Sequence, residues 1–424
     1  MGFTSMDSPC PPRPSPYRPG RVTVRTKDAF RIRGRFIGVA LVAVIPVVIT
    51  FCLKMGETTG NRKGQQNGPN ASHHRTLRDT LKPPETPERG THAPATLDLS
   101  STMSTAPLRV IVNPAASSGR GMKAAEALLG ELDGQGWPCD ARYTEAPGHA
   151  SRLAAQAALE GIDRMVVVGG DGTVHEVAGG LLGSGADRMP AVAISPVGTG
   201  NDFYRMVSPR RGVKELPRLL QEGAVKRFDV GRVRWEGGER VFVNLLGVGV
   251  DVEVLRCRTL YSRLPGLPQY LASFLHALAR FRPQAVHIEV RAGEPAAGPE
   301  PAAGPREQHI RGRTTLSVIT VGPSIGGGFM INPDAHALDG QLDLCHVAAG
   351  GLVPILRLVP KVMRGTHAGS PLVTMRRLER AVIRDPGGEP MWFELDGELA
   401  PEPAPELRVE VIPGAFPVLV SNDR

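Results

Sequence analysis

Cysteine is scarce in this chain of 424 residues: Cys10, Cys52, Cys139, Cys257 and Cys345 are widely separated, with no CxxC pair. Histidines do not cluster either. These absences argue against a disulfide framework or a zinc site, and for a reduced, intracellular protein. Aromatic residues make up only 5% of the chain. Net charge is missing from most of it, despite a formal +8. Residues 1–102 hold 15 Lys/Arg against 7 Asp/Glu, whereas the remainder holds 35 of each. The basic character therefore belongs to the N-terminal extension, and a nucleic-acid partner for the rest loses its electrostatic support. A lysine is also missing where a Walker A loop needs one. Gly169, Gly170, Asp171, Gly172 and Thr173 follow the apolar run Met165–Val168, with a carboxylate at their centre.

The length allows two or three domains. Residues 1–35 are rich in Pro and Arg and read as disordered. The uncharged stretch "FIGVALVAVIPVVITFCL", residues 36–53, follows Arg31, Arg33 and Arg35 and is interrupted by Pro46. It is near the minimum length for a membrane-spanning helix. It reads as a signal anchor, a signal-peptide core, or a stretch that the mature protein lacks. The preceding arginines would keep their side in the cytoplasm and put the rest outside, which conflicts with an ATP-dependent role. Met103 is an alternative start. A polar, Pro-rich linker completes an extension over residues 1–105.

From residue 106 to 229, strands such as "LRVIVNP", "RMVVVGG" and "MPAVAISP" alternate with helical spacings. Examples are Ala125, Leu128, Leu129 and Leu132, then Val174, Val177, Leu181 and Leu182. This alternation predicts an open, mostly parallel α/β domain. From 230 to 424 the pattern changes to strands with frequent turns, among them "RVFVNLLGVGV", "LDLCHVA" and "MWFELDGE". An antiparallel β-sandwich domain is predicted, with helices over Gln269–Arg282 and Val353–Arg364 and a low-complexity loop over 293–307.

Three loops at strand ends carry candidate chemistry. "NPAASSGRG" brings Asn113, Ser117, Ser118 and Arg120; "GGDGT" opens a helix; "SPVGTGNDF" brings Gly198, Thr199, Gly200, Asn201 and Asp202. Glycine turns that open helices present unpartnered N–H groups to phosphate oxygens. Loops at the ends of neighbouring strands share one crevice.

The order and spacing of these three motifs, with "FDVG" (228–231), "NPDAHALDGQLDL" (332–344) and "LDGE" (395–398), resemble the catalytic region of the diacylglycerol kinase family, which includes bacterial soluble lipid kinases and sphingosine kinases. The resemblance runs from about residue 106 to the end. It implies a nucleotide-binding α/β domain, a C-terminal β-sandwich and an active site in the cleft between them. It implies ATP, Mg²⁺ and a neutral lipid acceptor at the inner membrane surface, first of all diacylglycerol giving phosphatidic acid. Nucleotide-binding positions fall on Asn113, Arg120, Thr144, Gly169, Gly170, Asp171, Gly172, Thr173, Val174, His175 and Thr199. Asp171, Asp202 and Asp229 match the carboxylates of an Asp–water–Mg²⁺ network. The proton acceptor matches Asp396 or Glu398. Because these two lie two apart in a strand-like segment, they are expected to point the same way. A second, structural metal matches Asp339 with the backbone oxygens of His336 and Gln341.

Two positions depart from the family pattern. Arg120 stands where many bacterial members have Lys, and His175 stands where Asn is common. Other readings are a sphingoid-base or ceramide-type kinase, an NAD kinase-like enzyme resting on "GGDGT" alone, and a non-catalytic binding module. The segment 261–281 reads either as membrane-touching or as a core helix. Sheet edges would allow a homodimer.

Overall fold

The computed structural model describes residues 107–198, 200–208, 216–264, 266–292 and 307–422. The extension with its 36–53 run, the low-complexity stretch before Glu307, and Thr199 lie outside these residues.

The apolar runs of the first half form central parallel strands. β1 (Leu108–Val112), β3 (Arg164–Gly169) and β4 (Ala191–Pro196) are buried along nearly their whole length, and β2 (Cys139–Tyr143) lies at the edge. The order is β2–β1–β3–β4. Burial on both faces explains why these strands read as continuous apolar runs rather than alternating ones. The connecting helices are α1 (Ala116–Gly134), α2 (His149–Leu159) and α3 (Asp171–Gly183). α2 and α3 pack so closely that a Cβ on Gly180 would lie 2.0 Å from the Ser151 carbonyl oxygen. Two short helices follow, α4 (Asp202–Val207) and α5 (Leu216–Glu222).

β5 (Ala224–Trp235) opens the second half and runs through the boundary expected at residue 229. β6 (Gly238–Phe242) and β7 (Leu245–Gly249) come next, then α6 (Val250–Arg258) and α7 (Gly266–Arg280). α7 packs against α6 through Phe274, Ala277 and Leu278. β8 (Gln284–Arg291), β9 (Glu307–Thr320) and β10 (Leu342–Ala348) are antiparallel neighbours. After α8 (Leu352–Met363) come β11 (Val373–Leu378), β12 (Arg380–Arg384), β13 (Phe393–Leu395), β14 (Glu398–Leu399) and β15 (Glu406–Val420). The architecture is thus an open α/β layer followed by an antiparallel β region.

β15 joins the two halves. It pairs antiparallel with β5 over most of its length and parallel with β4 at Val418. At this seam Phe203 packs at 5.6 Å from Phe228 and 5.7 Å from Phe416, centroid to centroid. All three rings are buried. They fix the start of α4, where Asp202 stands. Among the described residues no helix is long and apolar enough to cross a membrane.

Candidate active site

The second and third of the three loops meet through glycines. A Cβ on Gly170 would lie 3.0 Å from the Gly198 Cα, and one on Gly198 would lie 2.4 Å from Asn201 Oδ1. Side chains at these positions would force the two turns apart. Asn201 adopts φ +51° and closes its own loop, accepting from the Gly198 N–H and donating to the Gly198 carbonyl, both at 2.9 Å. Asn113 ties the first loop to the second by donating from Nδ2 to Thr173 Oγ1 at 3.0 Å. The Thr144 N–H donates to the Val112 carbonyl at 2.8 Å, which holds that residue beside the end of β1. Val174 offers little to a ligand: its side chain is in the core and its N–H donates to the Gly170 carbonyl. The expected loop at "ASSGRG" is the first turn of α1, where Arg120 is exposed and donates from Nε to the Ser117 carbonyl at 3.2 Å.

Gly200 lies between two carboxylates. A Cβ there would be 2.8 Å from Asp171 Oδ2 and 3.4 Å from Asp202 Oδ2. Burial, then the nearby charge of Asp202, push the Asp171 carboxyl up to about 6, against the lowering effect of the Phe203 N–H. Asp202 accepts from Arg205 Nη1 at 2.9 Å, Ser324 Oγ at 2.9 Å and the Gly327 N–H at 2.7 Å. Asp202 is already paired with Arg205, so Asp171 is the hard oxygen donor that would face a divalent cation, with Asp202 reaching it through water ligands.

Asp396 and Glu398 do not point the same way, contrary to the strand-like expectation. Leu395 pairs with Glu398, and the two residues between them form the turn, Asp396 at φ +50° and Gly397 at φ +87°. This is the type I′ geometry that Asp-Gly favours in a two-residue hairpin. Glu398 is exposed, whereas the Asp396 side chain has 0% of its surface exposed. Asp396 Oδ1 accepts the N–H groups of Asn244 and Leu245, and Oδ2 accepts that of Val243, each at 2.8 Å. The expected single strand over "RVFVNLLGVGV" is broken there, because three successive N–H groups turn onto this carboxylate instead of a sheet partner. The fourth partner of Asp396 is His175, whose Nδ1 lies 2.7 Å from Oδ2.

Asp229 belongs to a different network from Asp171 and Asp202. Its oxygens accept the N–H groups of Gly340 at 2.8 Å and Gly414 at 2.7 Å, so it clamps the 336–341 turn to β15. Asp339, expected to hold a structural metal, is ion-paired with Arg377, and its other oxygen accepts the Gln341 N–H at 3.0 Å. The His336 carbonyl accepts the Leu338 N–H at 2.8 Å. A guanidinium already neutralises the carboxylate, so this donor set fits a second metal poorly.

One buried group was not legible in the sequence. Glu394 on β13 and Asp251 on α6 are both buried, and burial, then the Asp251 charge, hold the Glu394 carboxyl well above its usual range. Glu394 Oε2 accepts the Gly397 N–H at 2.8 Å and so braces the Asp396 turn. Strand alternation gives no sign of it, since Phe393, Glu394 and Leu395 are all buried.

The geometry has counterparts among known proteins. A model described as the diacylglycerol kinase catalytic domain matches residues 107–233. A second, described as the YegS C-terminal NAD kinase beta sandwich-like domain, matches residues 244–420. A Stenotrophomonas maltophilia protein named a YegS-like lipid kinase is 30% identical over 317 residues, spanning 74% of this chain and 95% of the relative. A Bacillus subtilis protein named diacylglycerol kinase is 27% identical over 298 residues, covering 68% of this chain and 89% of the relative. Solved structures of Bacillus anthracis proteins described as diacylglycerol kinases share the fold, with TM-scores of 0.57 and 0.53 at 22% and 20% identity. Both alignments cover 74% of this chain and 97% of the solved one.

Proposed function

Since this chain belongs to the diacylglycerol kinase catalytic-domain family together with the YegS-like lipid kinases, and is a kinase, we propose that it transfers the γ-phosphate of ATP to the hydroxyl of a neutral lipid, diacylglycerol first. The observation that carries this reading is the junction of His175, at the start of the phosphate-loop helix, with Asp396, in the "LDGE" turn 221 residues away. That junction supports a reading in which the nucleotide loops and the acceptor end share one cleft. Phosphoryl transfer depends more on positioning and charge neutralisation than on covalent help. The N-terminus of α3 and the loop at Gly198 would take the phosphates. Asp171 and Asp202 would hold Mg²⁺ through water, and the cation would neutralise phosphate charge.

The lipid would enter beside the turn. A cavity of about 370 Å³ is lined by Arg256, Arg258, Thr259, Ser262, Gly397 and Leu399. Next to it Leu260 and Leu264 are 68% and 41% exposed, with Arg258 and Arg263 between and beside them. Exposed leucines flanked by arginines suit an anionic membrane surface, which supports a peripheral placement at the inner face.

The test is incubation of the full chain with γ-labelled ATP, Mg²⁺ and vesicles containing diacylglycerol, a sphingoid base or ceramide, with NAD as a separate acceptor. Labelled phosphatidic acid is expected. Label in the sphingoid product would move the substrate class, and phosphorylated NAD without labelled lipid would overturn the proposal.

A further inference from the structure

We propose that His287, Glu289 and His309 form a binding site for a divalent transition metal of the Zn²⁺ class on the outer face of the β8–β9 ladder; the site stands independently of the phosphotransfer reading above. Strand alternation builds this face. Val286, Ile288 and Val290 of β8 are buried in the core, so His287 and Glu289 between them turn outward. In the antiparallel register Glu289 stands opposite His309 of β9, and His287 stands opposite Arg311. The two imidazoles are 22 residues apart in the chain, so no local spacing marks them in the sequence.

The distances suit one ion. His287 Nε2 lies 3.2 Å from His309 Nδ1. Two nitrogens bound to one tetrahedral ion at about 2.0–2.1 Å are about 3.3 Å apart. Glu289 Oε1 is 3.8 Å from His287 Nε2, and one donor atom from each of the three residues falls within 4.8 Å of the others. Two imidazoles and a carboxylate, with a fourth position open to water, are a donor set for Zn²⁺ rather than for Mg²⁺, which takes oxygen ligands. Glu307 Oε1 is 3.9 Å from His309 Nε2, the ring nitrogen that would not ligate. A carboxylate in that place orients a metal-bound imidazole.

Two guanidiniums compete for these donors. Arg311 Nε donates to His287 Nε2 at 3.3 Å, and Arg384 Nη2 lies 3.4 Å from His287 Nδ1 and is ion-paired with Glu289. A neutral imidazole has one lone pair, so His287 cannot accept from both. A metal at Nε2 would take that lone pair and leave the ring hydrogen on Nδ1. Arg311 is exposed and can turn into solvent. Arg384 has a second carboxylate to move onto, Glu406 at 3.9 Å. This distinguishes the site from Asp339, where Arg377 holds the one side-chain donor of the set. The arginines therefore limit the affinity, and removing Arg384 should raise it.

The experiment strips the full chain with a chelator, dialyses it into excess Mg²⁺ to fill oxygen-donor sites, and titrates it with Zn²⁺ by calorimetry. H287A, H309A and R384Q are treated in the same way, and melting temperatures are taken with and without Zn²⁺. The unmodified chain should bind Zn²⁺ and melt higher with it, because the ion ties β8 to β9. H287A and H309A should each weaken binding by at least about tenfold and lose the Zn²⁺-dependent rise. Without Zn²⁺ both should melt as the unmodified chain does, since the rings stand on the outer face. R384Q should bind Zn²⁺ more tightly, by up to about fivefold, the worth of releasing Glu289 from a partly exposed ion pair. The proposal is overturned if the unmodified chain binds no Zn²⁺ in excess Mg²⁺. It is equally overturned if H287A and H309A bind the ion as the unmodified chain does. Both results are read without lipid or ATP, so neither bears on the function proposed above.

Discussion

The Asp202 carboxylate, at the start of α4 in the first half, accepts the N–H of Gly327 in the second half at 2.7 Å. Ser324 Oγ donates to the same carboxylate at 2.9 Å. Asp202 is buried, so these bonds connect the two halves where solvent does not compete for them. Ser324→Ala should remove one bond to a buried charge and cost about 1.5–3 kcal/mol. The variant should melt several degrees lower and show weaker ATP binding, both measurable by thermal shift with and without nucleotide.

Asp171→Asn should separate stability from activity. The carboxyl is raised to about 6 by burial and by Asp202, so its ionised form costs the folded state stability above that pH. An amide carries no such charge. Without divalent cation at neutral pH, the variant should be more stable by about 1–3 kcal/mol, the ceiling set by a shift of roughly two pKa units. Its phosphotransfer activity should fall at least tenfold. A variant that melts no higher than the unmodified chain would contradict the burial argument.

Asp343 gives the clearest pH dependence of stability. Burial, then the Asp334 charge, push its carboxyl up to about 6, and Oδ2 has no hydrogen-bond partner. The folded state therefore holds this proton more tightly than the unfolded chain, whose value is near 3.8. The contribution is fully present below about 4 and is lost as pH rises through about 6. Asp343→Asn should flatten this slope and raise the melting temperature above pH 6, by up to about 3 kcal/mol of stability. Denaturation curves taken at pH 4.5 and pH 7.5 would show the difference.

The ion pair of Arg377 with Asp339 predicts insensitivity to chelation at that turn. Arg377 is about half exposed, with a side-chain exposure of 49%, so the pair itself contributes little, about 0–1 kcal/mol. In a Zn²⁺-free Asp171→Asn background, which removes the Mg²⁺ site proposed above, a chelator should leave the melting temperature unchanged. Arg377→Ala added to that background exposes the carboxylate, and millimolar Ca²⁺ or Mg²⁺ should then raise the melting temperature of the double variant and not of Asp171→Asn alone.

Much of the fold was legible because its signals are local. β10 falls on the predicted "LDLCHVA", and the glycine turns at Gly169 and Gly198 stand where strand periodicity stops. Val373–Leu378 was missed as a strand: "VTMRRL" places Arg376 and Arg377 in its middle, since among the described residues β11 pairs only with β10 and keeps those residues exposed. The break at Val243 and Asn244 was also illegible. It depends on the Asp396 carboxylate about 150 residues further on, and no periodicity within the segment records it.

The sequence by itself determined which residue types bear the chemistry and in what order: three glycine loops, their carboxylates and an Asp-Gly turn. These follow from backbone rules that act over a few residues. Only the tertiary structure decided their roles. It buried Asp396 under three N–H groups and a ring, left Glu398 outside, drew Asp229 away to the 336–341 turn and brought Glu394 beneath the hairpin. The reason is physical. A carboxylate's task depends on what desolvates it and what donates to it, and here those partners come from distant parts of the chain.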